Sequence, residues 1–214
     1  MNRRLAAFAL LGIAAYVAID VAVVFLRPQF SVLHNAESDY GSRGPYAWVM
    51  DANFLLRCAF SLAVVALLPS RLRVSRALLA VWAIGSGLLA FFPDRPGGVP
   101  QTGTGKVHVA LALIVFVAVI VGTRIASRAL GSLVLIVLSW VAIVPLVLTA
   151  RTHFRVHSLG GLYEKLFLAI ELAWLAIAAA RVGGWELKGS ARRRTGSRPT
   201  GSSSAVTSPP THLP

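Results

Sequence analysis

Six apolar stretches of about 20 residues follow one another along the chain, at 4–26, 46–68, 74–92, 106–126, 130–150 and 162–182. A helix needs roughly 20 apolar residues to cross a ~30 Å hydrocarbon core. Inside lipid the backbone must satisfy its own hydrogen bonds, which makes helices the spanning form for segments of this length. The expectation is an all-α, polytopic transmembrane bundle of six helices occupying residues 1–186. Only 14% of the 214 residues are charged, against about 25% in soluble domains. From residue 187 onward Ser, Thr, Pro, Gly and Arg dominate and leave almost nothing to bury. Residues 187–214 are therefore expected to form a disordered basic cytoplasmic tail.

The net charge of +13 invites a nucleic-acid reading, but the placement of the charges argues otherwise. Counting each connection with the stretch ends that adjoin it, the N-terminus, the connections after the second and fourth stretches, and the tail hold 13 of the 21 Lys and Arg residues. The connections after the first, third and fifth hold seven, and Arg57 is left deep inside a stretch. The positive-inside rule then places both termini in the cytoplasm. Basic residues beside spans are topology determinants and anionic-lipid contacts, so membrane lipids are the expected partners and nucleic acid is not. The location expected is the plasma membrane, multi-pass. Met1-Asn2-Arg3-Arg4 resembles a signal-peptide start, but the apolar run continues to Leu26, beyond the usual 7–15 residues. It reads as an uncleaved first helix. Cys58 is alone, so no intramolecular disulfide forms. Arg far outnumbers Lys, and Ala, Val and Leu are abundant, which fits a bacterial gene rich in G and C.

Acids and imidazoles collect at one end of these stretches. That end carries Asp20, His34, Glu37, Asp39, Asp51, Asp94, His108, His153, His157 and Glu164, with Glu171 deeper; only Glu186 and His212 fall at the other. Arg57 lies about twelve residues into the second stretch, ~17 Å deep. A lone central Arg costs ~2.5–3.5 kcal/mol, and intramembrane charges usually pair. The sequence thus predicts an Arg57–Glu171 ion pair joining the second and sixth helices, either fixing register or serving a proton or substrate path. Asp20 and Asp51, at similar depth on consecutive helices, either share a polar cavity or reach the interface. The candidate ligand cavity comprises Asp20, Ser38, Asp51, Asp94, His108 and Glu164, floored by Arg57 and Glu171.

His153 and His157 are spaced i, i+4, on one face if helical. With His108 and Asp94 they could bind zinc; the bland reading is interfacial histidines bonded to water or headgroups. No other cofactor is expected. Ser38 lacks a Gly-x-Ser-x-Gly elbow. Thr102-Gly-Thr-Gly-Lys106 fails as a phosphate loop, because Pro100 and Val107 occupy positions that need Gly and Ser or Thr.

Three short patterns at this same end carry a resemblance. They are His34-Asn35-x-x-Ser38-x-Tyr40 with Gly44-Pro45 and Trp48; Phe92-Pro93-Asp94 followed by Gly105-x-x-His108; and Gly161-Leu162-x-Glu164-Lys165. They resemble signatures of the DUF998 family, uncharacterised bacterial and archaeal membrane proteins with about six spans. The Pro93–Asp94 step lacks the residue often found between the two, and Lys165 stands where the family usually has Arg. The resemblance covers about residues 5–182 and implies the six-helix architecture and the face that holds a site. The functional expectation is a membrane protein that binds or moves a small polar ligand or lipid through an outer-facing polar cavity. The alternative is an intramembrane metal-assisted hydrolase acting on lipid through His108, His153, His157 and Asp94.

Overall fold

The computed structural model describes residues 2–96, 102–152 and 158–184. These form helices and connections, with no strand among them. The helices are α1 (Asn2–Leu26), α2 (Ala47–Leu67), α3 (Arg73–Leu89), α4 (Gly103–Leu130), α5 (Leu133–Val141), α6 (Ile143–Thr152) and α7 (Gly160–Val182). Because α5 and α6 are two halves of one rod, the bundle has the six helices that the apolar pattern calls for. The 187–214 tail, His153 and His157 lie outside the described residues.

Four of the six helices are long and apolar enough to cross a membrane: α1, α2, α4 and the joined α5–α6. Polarity is inverted relative to a protein that faces water. Phe8, Leu11, Phe25, Leu113, Leu133 and Val144 lie exposed, whereas Arg27, Glu37, Arg57, Asp94, Glu164 and Glu171 are buried. Exposed apolar surface on this scale needs an apolar surrounding. The chain is a membrane-embedded protein.

Consecutive helices pack from α1 through α5, and α7 closes the ring against α1, α5 and α6 while touching α2 across the middle. The main core holds Phe60, Val64, Trp82, Val115, Val119, Trp174 and Leu175. A smaller cluster of Val23, Tyr40, Met50, Phe54 and Leu89 lies near the end that carries the three sequence patterns, hereafter the motif end. Helices in lipid associate through close packing rather than apolar transfer. Accordingly α3 has glycines where its neighbours press in: a Cβ at Gly85 would sit 2.1 Å from a Val115 methyl.

Several boundaries differ from the sequence expectation, and those of α4 and the fifth rod have an identifiable cause. Helix α4 begins three residues early because the Thr102 side chain accepts from the Gly105 N–H at 3.2 Å and caps it. It then runs through the expected connection at 127–129 and stops at Gly131, whose φ of 61° provides the left-handed ending. The fifth rod breaks at Ala142, because Pro145 has no N–H to give the Val141 carbonyl. Beyond the break α6 packs against α7, with no comparable contact to α4. A gap is left between α4 and α6.

The longest connection, 27–46, folds inward. Its 3₁₀ turn Ser38–Gly41 is buried. The Leu162 N–H donates to the Leu33 carbonyl at 3.0 Å. The Asn35 backbone crosses Gly161 so closely that a Cβ there would lie 2.1 Å from the Asn35 carbonyl oxygen. Gly161→Ala should therefore push the connection off α7 and destabilise the protein by about 1–3 kcal/mol or more, the scale of overpacking. Thermal unfolding in detergent checks this, with Gly103→Ala as the control because nothing lies within 4 Å of a Cβ there. Equal losses for both variants would contradict the close crossing.

Candidate functional site

The Arg57 guanidinium, 1% exposed, sits ten residues into α2, ~15 Å from its start. Tyr16 lies at matching depth, ten residues before the end of α1. The inward fold of 27–46 brings Glu37 down to both. Arg57 Nη1 donates to Glu37 Oε2 at 2.8 Å and to the Tyr16 hydroxyl at 3.0 Å, and the Tyr16 hydroxyl donates to Glu37 Oε1. Phe54 and Trp82 rings lie 5.0 and 5.1 Å from the guanidinium carbon, within cation–π range.

The expected Arg57–Glu171 pair is not formed. Glu171 is buried with neither carboxylate oxygen hydrogen-bonded among the described residues. Equal depth fixed only one coordinate; the direction each side chain takes around its helix is another. Glu37 was passed over because it sits in a connection, whose depth helical counting does not give.

The connection is itself held by buried polar contacts. Arg27 turns back from the end of α1 and donates to the Tyr40 and Ser42 carbonyls, the latter at 2.6 Å. Gly44 allows this, since its φ is +141° and a Cβ would press on the same guanidinium. The Asn35 side chain accepts from the Ser31 N–H at 2.9 Å and donates to Asp39 Oδ2 at 2.8 Å. Asp39 Oδ2 also accepts from the Ala36 N–H at 3.0 Å. Helix α7 takes hold from the other side: Glu164 Oε1 accepts from the Glu37 N–H at 3.1 Å, and Lys165 Nζ donates to the Asn35 carbonyl at 2.7 Å. The second pattern joins through Ser38, which donates to Asp94 Oδ2 at 3.2 Å. His108 Nδ1 lies 2.7 Å from the Phe92 carbonyl.

A cavity of about 210 Å³ opens beside this network. Its polar wall is Glu37, Ser38, Arg57, Asp94, His108 and Glu164, and its apolar walls come mainly from α4 (Val109, Ala112, Leu113, Phe116) and α6 (Leu146, Ala150), where the Thr149 hydroxyl is taken up by the Pro145 carbonyl. Leu113 and Ala150 are exposed, so the mouth is the gap between α4 and α6. Of the eight sequence candidates, Ser38, Arg57, Asp94, His108 and Glu164 share this space. Three lie elsewhere. Asp20 lines a separate recess between α1 and α7, Asp51 sits beside Gly41, and Glu171 is enclosed in the packing. Among the described residues no three His, Cys, Asp or Glu side chains converge on a metal position. His153 and His157, the other zinc candidates, are outside the described residues.

The three patterns that carry the sequence resemblance thus meet at the motif end, the first joined to the second through Ser38 and Asp94 and to the third through Asn35 and Lys165. The model of the family described as "Protein of unknown function (DUF998)" matches residues 10–181. The chain belongs to that family. No curated protein and no solved structure matches it.

Removing one partner of a buried ion pair costs about 3–5 kcal/mol, so Glu37→Leu or Arg57→Leu alone should sharply lower the melting temperature in detergent, and the double variant should recover much of it. Glu171→Leu should hold or raise stability, because it removes a buried group without a partner; a loss as large as that of Glu37→Leu would restore Glu171 as the counter-ion. Burial, reinforced by Asp94, raises the Asp39 carboxyl to about 6 against the pull of the Asn35 and Ala36 hydrogen bonds. The neutral form favours the folded connection. Its stabilisation is complete below the ordinary value of 3.8 and is lost as pH rises through about 6. Asp39→Asn keeps an acceptor for both N–H groups and removes that titration. Between pH 4 and 7 the wild type should lose about 2–3 kcal/mol relative to Asp39→Asn; parallel pH profiles would contradict the assignment.

Proposed function

We propose that this DUF998 member binds an amphiphile, a lipid or a lipid-like molecule, with its polar head in the motif-end cavity and its apolar part in the gap between α4 and α6. The observation that carries this reading is the two-sided lining: six polar side chains at the inner wall, and apolar α4 and α6 side chains reaching an exposed mouth. A small polar solute could use the polar wall but gives no account of a mouth that faces the apolar surroundings of the bundle. Hydrogen-bonding groups at the inner wall offer both signs of charge, with carboxylates in excess over Arg57. They would orient a head group rather than merely solvate it.

The broader setting belongs to the same proposal. All six helices span the plasma membrane of a bacterium, both termini are cytoplasmic, and the cavity faces outward. The excess of Lys and Arg at the end opposite the motifs supports this orientation. The alternative, a metal-assisted lipid hydrolase, draws support from His108 in the cavity wall and from α6, which lines the cavity immediately before His153 in the sequence.

Extraction of the purified full-length chain, followed by mass spectrometry and metal analysis, tests the reading. The wild type should carry an amphiphile that Ala112→Phe, which fills the cavity, loses while its melting temperature is retained. Identical extracts from the two would overturn the proposal. Stoichiometric zinc, lost on replacing His108, would favour the hydrolase instead.

A further inference from the structure

A second recess, of about 410 Å³, lies between α1 and α7 and shares no lining residue with the cavity. Glu164 and Lys165, adjacent in sequence, look into different spaces: Glu164 into the cavity and Lys165 into this recess. Along α7 the recess runs from Lys165 to Ala176, eleven residues or ~16 Å. Its charged groups, Asp20 and Lys165, are both at the motif end; the remainder is apolar except for the Tyr16 hydroxyl, which is turned toward Glu37. Ala169 and Ala173 are exposed, leaving an open strip where larger side chains would fill the space.

The charged pair indicates what fits. No hydrogen bond or ion pair holds the Asp20 carboxylate among the described residues, although Lys165 and Arg57 are both near enough to act on it electrostatically. Lys165 gives one N–H to the Asn35 carbonyl and its ammonium lies 5.3 Å from the centre of the Tyr40 ring; an ammonium has three N–H groups, so donor capacity is left. The recess therefore presents an acceptor that no cation contacts directly, beside a donor with capacity for an anion, at the head of a narrow apolar strip. A single molecule that carries both charges next to an acyl chain satisfies all three features. A transmembrane helix would have to bring its own buried acid and base to the same level.

We propose that this recess is a binding site for one zwitterionic phospholipid, with its ammonium at Asp20, its phosphate at Lys165 and an acyl chain along Ala169, Ala173 and Ala176. This site uses residues that the cavity does not and stands whether or not the cavity reading survives.

Native mass spectrometry of the full-length protein in detergent tests the site, with phosphatidylethanolamine and phosphatidylglycerol as probes. The wild type should retain one phosphatidylethanolamine in preference to phosphatidylglycerol. Asp20→Asn should weaken that retention by about tenfold or more, the scale of a lost charge-assisted hydrogen bond. Ala173→Phe should abolish it by filling the strip. Asp20→Asn is isosteric and carries the test if the bulkier variant fails to fold. Gly103→Ala, where an added methyl meets nothing within 4 Å, should leave retention unchanged. The proposal is overturned by equal retention of the two lipids or by indifference to both recess variants. Loss of phosphatidylethanolamine with Ala112→Phe alone, or a lipid-free dimer disrupted by Ala173→Phe, would also overturn it.

Discussion

A guanidinium in the middle of an apolar bundle must find an anion, and Arg57 finds one that no helix supplies. Glu37 comes from the connection between α1 and α2, so neutralising Arg57 requires that connection to descend between the helices. The remaining polar architecture accommodates this descent. Arg27 gathers the carbonyls of the returning chain, Asn35 and Asp39 shape the approach to the 3₁₀ turn, and α7 has Gly161 in its first turn because the Asn35 backbone crosses directly over it. Each contact satisfies a backbone or side-chain group that would otherwise be buried without a partner, which in a low-dielectric interior is the dominant cost.

The same descent creates the cavity. Glu37 and Ser38 form part of its polar wall only because they have been drawn inward, and Asp94 and Glu164 are positioned by hydrogen bonds to that turn. The opposite wall has an unrelated origin in the break before Pro145, which turns α6 away from α4. Charge compensation on one side and a missing backbone N–H on the other therefore cooperate to leave an amphipathic space.

Much of this was legible in the sequence, and the failures have physical causes. Helix number and the clustering of acids and imidazoles at one end follow from apolar run lengths, which lipid enforces strictly. Five of the eight cavity candidates do share a space, the ones whose direction around the bundle axis as well as depth brings them to the inward-folded connection. What could not be read was anything set by azimuth or by irregular backbone. Asp20 and Glu171 have suitable depth but point elsewhere. Glu37 belongs to a connection whose inward path leaves no periodic trace; the available hint was an unpaired Arg57 and few acids able to reach it. The break in the fifth rod was announced by Pro145, and the end of α4 by Gly131, single residues whose effect a hydropathy average conceals.

The most direct test of this account is a dipolar-coupling distance, by solid-state NMR in lipid bilayers, from the Arg57 guanidinium nitrogens to labelled glutamate carboxyl carbons. A contact at hydrogen-bonding range to Glu37, with none to Glu171, is the result expected. Coupling to Glu171 with Glu37 remote would mean that the connection stays outside the bundle, and the cavity wall built on it would not exist.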